Sequence, residues 1–437
     1  MEQLERRLGL LDTTMIIVGI VIGSGIFLLP NLIARSLPSG PAIIAVWIAA
    51  GVLSWFGALA YAELGAMMPA TAGQYVYIRD AYGDVLAFLC GWVFMLAAVP
   101  GGIAFLSAGF SIYLAQFVPL AQVERKIISV ALVFAISAVN YIGLRESAWA
   151  QRIFTMAKIG GLAVVIGAAV LAKRHAAAAV PIPASAFRWS GFGFALTQCL
   201  MAYNGWSYVS FVAGEVRDPS RNVPRALALG MGLVMLLYLG ANLAYMNVMT
   251  VPEIASVERV GAAAAEKAFG SIGGDLIAVI VLVSVTGAIN GCVLTGSRIP
   301  FGMARDGLFF QRFGEIQPRF RTPGFAIVAQ AIWSSIVVVT GSYENLSSYS
   351  MLSSWIFYTL TVIAVSVLRR KMPGLERPYR MWGYPATVWL FVAVSVWFFA
   401  DALVNQTATS LIAIAVTLAG LPVYFICKRA PAPVTVT

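Results

Sequence analysis

Apolar runs of 18 or more residues recur along the whole length of this chain, and that feature constrains the fold more than any other. As a helix, each such run can span the ~30 Å of hydrocarbon in a bilayer. Only 11% of the 437 residues are charged, 60% are hydrophobic and the mean hydropathy is +0.85. A soluble globular chain carries about 25% charged residues, so there is too little charge here to cover a water-facing surface. The sequence therefore predicts an all-α polytopic membrane protein with the lipid bilayer as its surroundings. A soluble enzyme, a secreted disulfide scaffold and a nucleic-acid-binding protein are excluded.

The net charge of +10 says little about a substrate, because basic residues in short loops set membrane orientation. Cys90, Cys199, Cys292 and Cys427 all sit in apolar runs and read as small buried hydrophobes. The N-terminal segment is not expected to be a cleaved signal. Met1–Asp12 carries Glu2, Glu5 and Asp12 beside Arg6 and Arg7, the following apolar run is too long, and no A-x-A site follows.

Segmentation gives twelve candidate spans, at about 13–35, 41–67, 84–117, 127–143, 150–172, 190–213, 225–250, 272–296, 323–341, 347–368, 383–402 and 408–427. With the N-terminus inside, the outer loops hold Arg125, Lys126, Lys173, Arg174, Arg188, Arg259 and Lys267. Arg35 and Lys158 lie within spans, and the other 20 of the 29 Lys and Arg residues fall on inner segments. This excess predicts that both termini face the cytoplasm.

The first and sixth spans are each interrupted near the middle, by Gly23-Ser24-Gly25 and by Tyr203-Asn204-Gly205. They lie five spans apart, and an odd number of crossings starts the second group from the opposite side. That is the pattern of an inverted repeat with two discontinuous helices, over 13–172 and 190–368, with two additional helices over 383–427 in one transporter domain. Unwinding a helix in hydrocarbon frees backbone groups that cost several kcal/mol each unless satisfied, and a ligand can satisfy them. The segment after Gly25 presents free amides and a positive dipole end, suited to a carboxylate. The segment before Tyr203 presents free carbonyls around Met201 and Ala202, suited to an ammonium. Together they describe a receptor for an α-amino acid zwitterion.

Lys158 stands in Phe154–Leu171, otherwise free of charge, with ~12 Å of helix between it and the inner boundary at Ala150. Its side chain does not comfortably snorkel that far, so a functional role is expected: bridging elements in place of a metal ion, or titrating. Glu63 and Glu215, near inner span ends, read as partners for inner-face arginines, with Arg217 close to Glu215. Tyr203 and Trp206 flank the sixth-span break, where a ring could gate or line a pocket. Ser284 and Thr286 read as helix-packing hydroxyls within reach of Lys158 or the broken first span.

Ile22-Gly23-Ser24-Gly25-Ile26-Phe27, then Tyr61-Ala62-Glu63-Leu64 with Pro69 and Gly73, then Glu215-Val216-Arg217-Asp218-Pro219 with Arg221 and Pro224-Arg225, resemble the amino acid–polyamine–organocation superfamily. Within it the chain is similar to the L-amino acid transporter branch, which includes bacterial alanine/serine/cysteine exchangers. The resemblance implies a leucine-transporter-like fold of five plus five inverted helices with two appended, 12 in all, in a bacterial cytoplasmic membrane. It also implies substrate carboxylate binding at the amides of Gly23, Ser24 and Gly25, and amino-group binding at the carbonyls of Ala202 and Tyr203. Tyr203 matches an aromatic gate, Asn204-Gly205-Trp206 stands where the branch often has Gly-Gly-Trp, and Ser354-Trp355 resembles a pair facing the pocket. Lys158 matches a lysine that replaces the second sodium of sodium-coupled relatives, which implies sodium-independent transport. Asn204 in place of a glycine narrows the pocket. The Val118–Lys126 loop lacks the cysteine that links animal light subunits to a glycoprotein, so no disulfide-linked heavy-chain partner is implied.

The expected activity is secondary transport of neutral L-amino acids, by exchange, with proton-coupled symport and facilitated uniport as alternatives. A membrane-embedded enzyme finds no support. His175 is the single histidine and lies in an outer loop, there is no G-x-S-x-G, and no metal or cofactor is implied. A channel is disfavoured because paired broken helices suit alternating access.

Overall fold

The computed structural model describes residues 6–171 and 189–429. Lys173, Arg174, His175 and Arg188, assigned above to an outer loop, lie outside the described residues. In chain order the helices begin with α1 (Leu10–Val21), α2 (Gly25–Ser36), α3 (Gly40–Met67), α4 (Gly73–Tyr82) and α5 (Asp84–Val93). A π-helical turn, Phe94–Ala98, joins α5 to α6 (Val99–Leu114), and α7 (Gln122–Ile142) and α8 (Leu144–Leu171) follow. Next come α9 (Trp189–Ala202), a 3₁₀ segment (Trp206–Glu215), α10 (Pro219–Val248), α11 (Val251–Ser256), α12 (Val260–Phe269) and α13 (Ser271–Gly296). The chain continues with α14 (Arg298–Arg305), α15 (Gly324–Thr340), α16 (Tyr343–Lys371), α17 (Ala386–Asn405), α18 (Thr407–Leu418) and α19 (Gly420–Arg429).

Among the described residues, nine helical stretches are long and apolar enough to cross a membrane. Three of the twelve expected spans are not among these nine. The one at 150–172 lies within the 28-residue α8, and the one at 323–341 is the 17-residue α15. The one at 190–213 is cut at Tyr203 into the 14-residue α9 and the 3₁₀ segment.

Burial sorts the helices by position. In Leu10–Ser36, 94% of the apolar window is buried, against 22% in Gln122–Ile142. A helix apolar on all sides belongs at the centre of a bundle, and one with a wide exposed apolar face belongs against lipid. Accordingly α1 is packed among α8, α10 and α13, and α2 lies against α9, α11 and α12.

Polar contacts close both ends of this central helix. On the N-terminal side, Arg7 and Leu8 amides donate to Glu215 O at 2.9 and 3.0 Å, and Arg217 N donates to Leu8 O at 2.8 Å. The partner of the Glu215 carboxylate is Arg298. Arg298 Nε donates to Oε1 at 3.0 Å and a terminal guanidinium nitrogen to Oε2 at 3.3 Å, with both side chains buried. Glu63 likewise takes Arg369 in a two-pronged contact at 2.8 and 2.7 Å, and also the Met381 amide at 2.6 Å. At the other end, Asn31 Nδ2 donates to Ile254 O at 3.1 Å and Ala255 O at 2.9 Å, tying α2 to α11. Glu253, which caps α11, has its carboxyl held down to about 2 by the Lys267 ammonium and the Thr250 amide.

Candidate functional site

Two interruptions converge at the centre of the bundle. The first is Ile22-Gly23-Ser24 between α1 and α2, and the second is Tyr203-Asn204-Gly205 after α9. Both breaks have little room for a larger residue. A methyl on Gly23 would come within 2.4 Å of Leu106 Cδ2, and one on Gly205 within 2.5 Å of Ile20 Cγ2. Gly205 also holds φ at +120°, a region side-chain-bearing residues rarely adopt.

Four carbonyls at and just past the C-terminus of α1 have donors. Val18 O receives Ile22 N at 2.9 Å, and Val21 O receives Gly23 N at 2.9 Å. Lys158 Nζ donates to Gly19 O and, at 2.9 Å, to Ile22 O, which also receives Ser284 Oγ at 3.1 Å. Lys158 thus places a cation at the negative end of the α1 dipole, fully inside the bundle. Ser284 takes the same carbonyl from α13. Thr286 instead turns back to Leu282 O at 2.8 Å within its own helix.

Across the break, α2 begins with the amides of Gly25 and Ile26, which have no acceptor among the described residues and no side-chain cap. Of the amides expected to receive a carboxylate, that of Gly23 is folded back onto Val21 O. The Ser24 side chain lies against α6, where a methyl on Gly109 would come within 2.5 Å of its Oγ. The amides at the start of α2 include that of Ile26, which the sequence did not single out.

At the second break Asn204 N donates to Met201 O at 3.1 Å, and the Tyr238 hydroxyl meets Ala202 O at 3.0 Å and Val21 O at 2.8 Å. Asn204 Oδ1 receives the Tyr358 hydroxyl at 2.8 Å, and Ser207 Oγ donates to Tyr358 at 3.1 Å. Between the breaks lies a cavity of about 30 Å³ whose walls include Ile20, Val21, Gly23, Gly25, Gly102, Phe105, Leu106, Met201, Ala202, Asn204, Gly205, Tyr208 and Cys292. That volume holds a water or two, so the site is closed to anything larger.

Six of the expected residues, Gly23, Gly25, Met201, Ala202, Asn204 and Gly205, meet at this cavity, whereas Ser24, Tyr203, Trp206, Ser354 and Trp355 do not line it. The Tyr203 ring packs against Trp47 and Tyr238, with centroids at 5.8 and 5.0 Å, on the α3 and α10 side. Trp206 packs on Tyr61 at 5.1 Å and fills the space over Gly57. Ser354 Oγ donates to Ser350 O at 2.6 Å along its own helix. Trp355 faces α17, stacked on Phe391 at 5.2 Å, with its indole nitrogen donating to Ser395 at 3.0 Å. An amphipathic ring settles where its N–H finds a partner, and α17 supplies one.

Sequence reasoning missed Tyr238, Phe105, Leu106, Tyr208 and the cavity-facing position of Cys292. Each is an ordinary apolar or aromatic residue of a long apolar run, with no local signal to separate it from its neighbours.

A family model for amino acid permeases matches residues 8–421. The chain is 32% identical over 430 residues to the serine/threonine exchanger SteT of Bacillus subtilis (strain 168), covering 98% of each protein. It is 30% identical over 433 residues to the human b(0,+)-type amino acid transporter 1, covering 97% of this chain and 88% of that one. With the rat large neutral amino acids transporter small subunit 2 the identity is 31% over 436 residues, covering 97% and 81%.

Proposed function

This chain belongs to the amino acid permease family, and from that premise we propose that it is a sodium-independent exchanger of neutral L-amino acids working by alternating access. The observation that supports this reading most is the cavity lined by Gly25, at the amide-bearing start of α2, and by Ala202, at the carbonyl-bearing end of α9. A carboxylate suits the first and an ammonium the second. Lys158 supports sodium independence, because its ammonium already meets the Gly19 and Ile22 carbonyls that a metal ion would otherwise neutralise.

In this reading the two breaks belong to a five-plus-five inverted repeat with two appended helices, a twelve-crossing protein of a bacterial cytoplasmic membrane with both termini inside. Opening on the inner side breaks the Leu8–Val216 backbone bridge, and opening on the outer side breaks the α2–α11 contacts. The carrier works as a single chain.

The test is uptake of labelled neutral amino acids into sodium-free proteoliposomes, either empty or preloaded with unlabelled amino acids. The expected result is uptake confined to preloaded vesicles. Equal uptake into empty vesicles, or a requirement for sodium, would overturn exchange or sodium independence respectively.

A further inference from the structure

The orientation of the Asn204 carboxamide is fixed from behind. Tyr358 and Ser207 are both fully buried, and Ser207 donates its proton to the Tyr358 oxygen. The phenol's own proton then goes to Asn204, and only the carbonyl edge of the amide can receive it. The Tyr358 ring cannot swing away, because Trp206, Phe94 and Trp355 hold it with centroids at 5.2, 5.8 and 5.9 Å. With Oδ1 turned toward Tyr358, the Nδ2 edge is the part of the amide left to the cavity that Asn204 lines. The neighbouring wall is largely apolar, from Ile20, Phe105, Leu106 and Met201.

We propose that Tyr358 is a positioning residue that presents Asn204 as an N–H donor to the substrate side chain. The site then selects small neutral amino acids carrying a side-chain oxygen over apolar isosteres and over cationic side chains. This inference rests on the reading of the cavity as an amino acid site. A buried donor without an acceptor is penalised, so the threonine hydroxyl satisfies Nδ2 where valine, of nearly the same shape, leaves it bare. A lysine ammonium is donor only and would set donor against donor.

The experiment measures exchange kcat/KM for threonine, valine, serine and alanine in proteoliposomes, for the unaltered protein, Tyr358→Phe and Asn204→Ala. The unaltered protein is expected to favour threonine over valine by about tenfold or more, the size of one satisfied buried hydrogen bond. In both variants that ratio falls to about twofold. A merely structural role for Tyr358 would lower all four substrates by one factor and keep the ratio, which overturns the proposal. Robust exchange with equal threonine and valine in the unaltered protein also overturns it while leaving the transport reading intact. Exchange of none of the four would overturn the transport reading itself, and this inference with it.

Discussion

The Tyr238 hydroxyl lies 3.0 Å from the carbonyl oxygen of Ala202, the last residue of α9. The same hydroxyl is 2.8 Å from Val21 O, the last residue of α1. Two helix C-termini, each a partial negative charge, are thereby brought to one donor. Without it, Ala202 O loses this donor and Val21 O keeps only the Gly23 amide.

Tyr238→Phe isolates this donor, because the ring keeps its packing on Trp47 at 5.5 Å and on Tyr203 at 5.0 Å. Losing hydrogen bonds to buried carbonyls costs about 1–3 kcal/mol. Exchange rates should fall roughly tenfold with little change in detergent-solubilised yield. An initial-rate exchange assay that matches the unaltered protein would remove the bridge from the mechanism.

Lys158→Ala leaves Gly19 O without its side-chain donor and Ile22 O with Ser284 alone. We expect slower exchange, because the lysine helps close the end of α1. Ser284→Ala removes one 3.1 Å bond and should slow exchange less. An unchanged exchange rate in Lys158→Ala would dismiss the role.

Cys292 is buried, yet it stands on the cavity wall beside Gly23 and Gly205. A small thiol-directed mercurial should therefore stop transport, and a transported amino acid should slow that inactivation several-fold by occupying the same space. Cys292→Ser should resist the reagent. Inactivation at the same rate with and without saturating substrate would place the thiol outside the binding space.

How much of this was legible follows from the kind of signal each residue gives. The membrane class needed only the scarcity of charge and the length of the apolar runs. The two breaks could be read because Gly23-Ser24-Gly25 and Asn204-Gly205 are out of place in such runs, and Lys158 because a charge there needs a reason. Tyr238 and Tyr358 gave no such signal, since a tyrosine in an apolar helix is unremarkable until its hydroxyl is seen to meet a backbone break. Ser354-Trp355, which the resemblance set facing the pocket, does not line this cavity. A resemblance can set the register of α16, but which face meets the cavity was decided by Ser395 and Phe391 on α17. Glu215 was expected to pair with an arginine of the inner segments, and Arg298 reaches in to it from α14.

That Glu215–Arg298 pair supports a prediction about stability. Both side chains are withdrawn from solvent, at 0% and 2% exposure, so neither charge can fall back on water if its partner is lost. Removing one partner of a buried pair typically costs 3–5 kcal/mol, whereas replacing both by apolar groups of similar volume is often neutral. Arg298→Met alone should lower the thermal midpoint markedly, and Glu215→Leu alone should do the same by leaving Arg298 with only Leu294 O and Ser297 Oγ. The double variant should recover most of the loss, because the backbone contacts of Arg7 and Leu8 with Glu215 O do not depend on the carboxylate. Thermal unfolding of the three variants in one detergent reads this directly. Additive losses in the double variant would mean that the pair is not coupled and that each side chain stabilises its surroundings on its own.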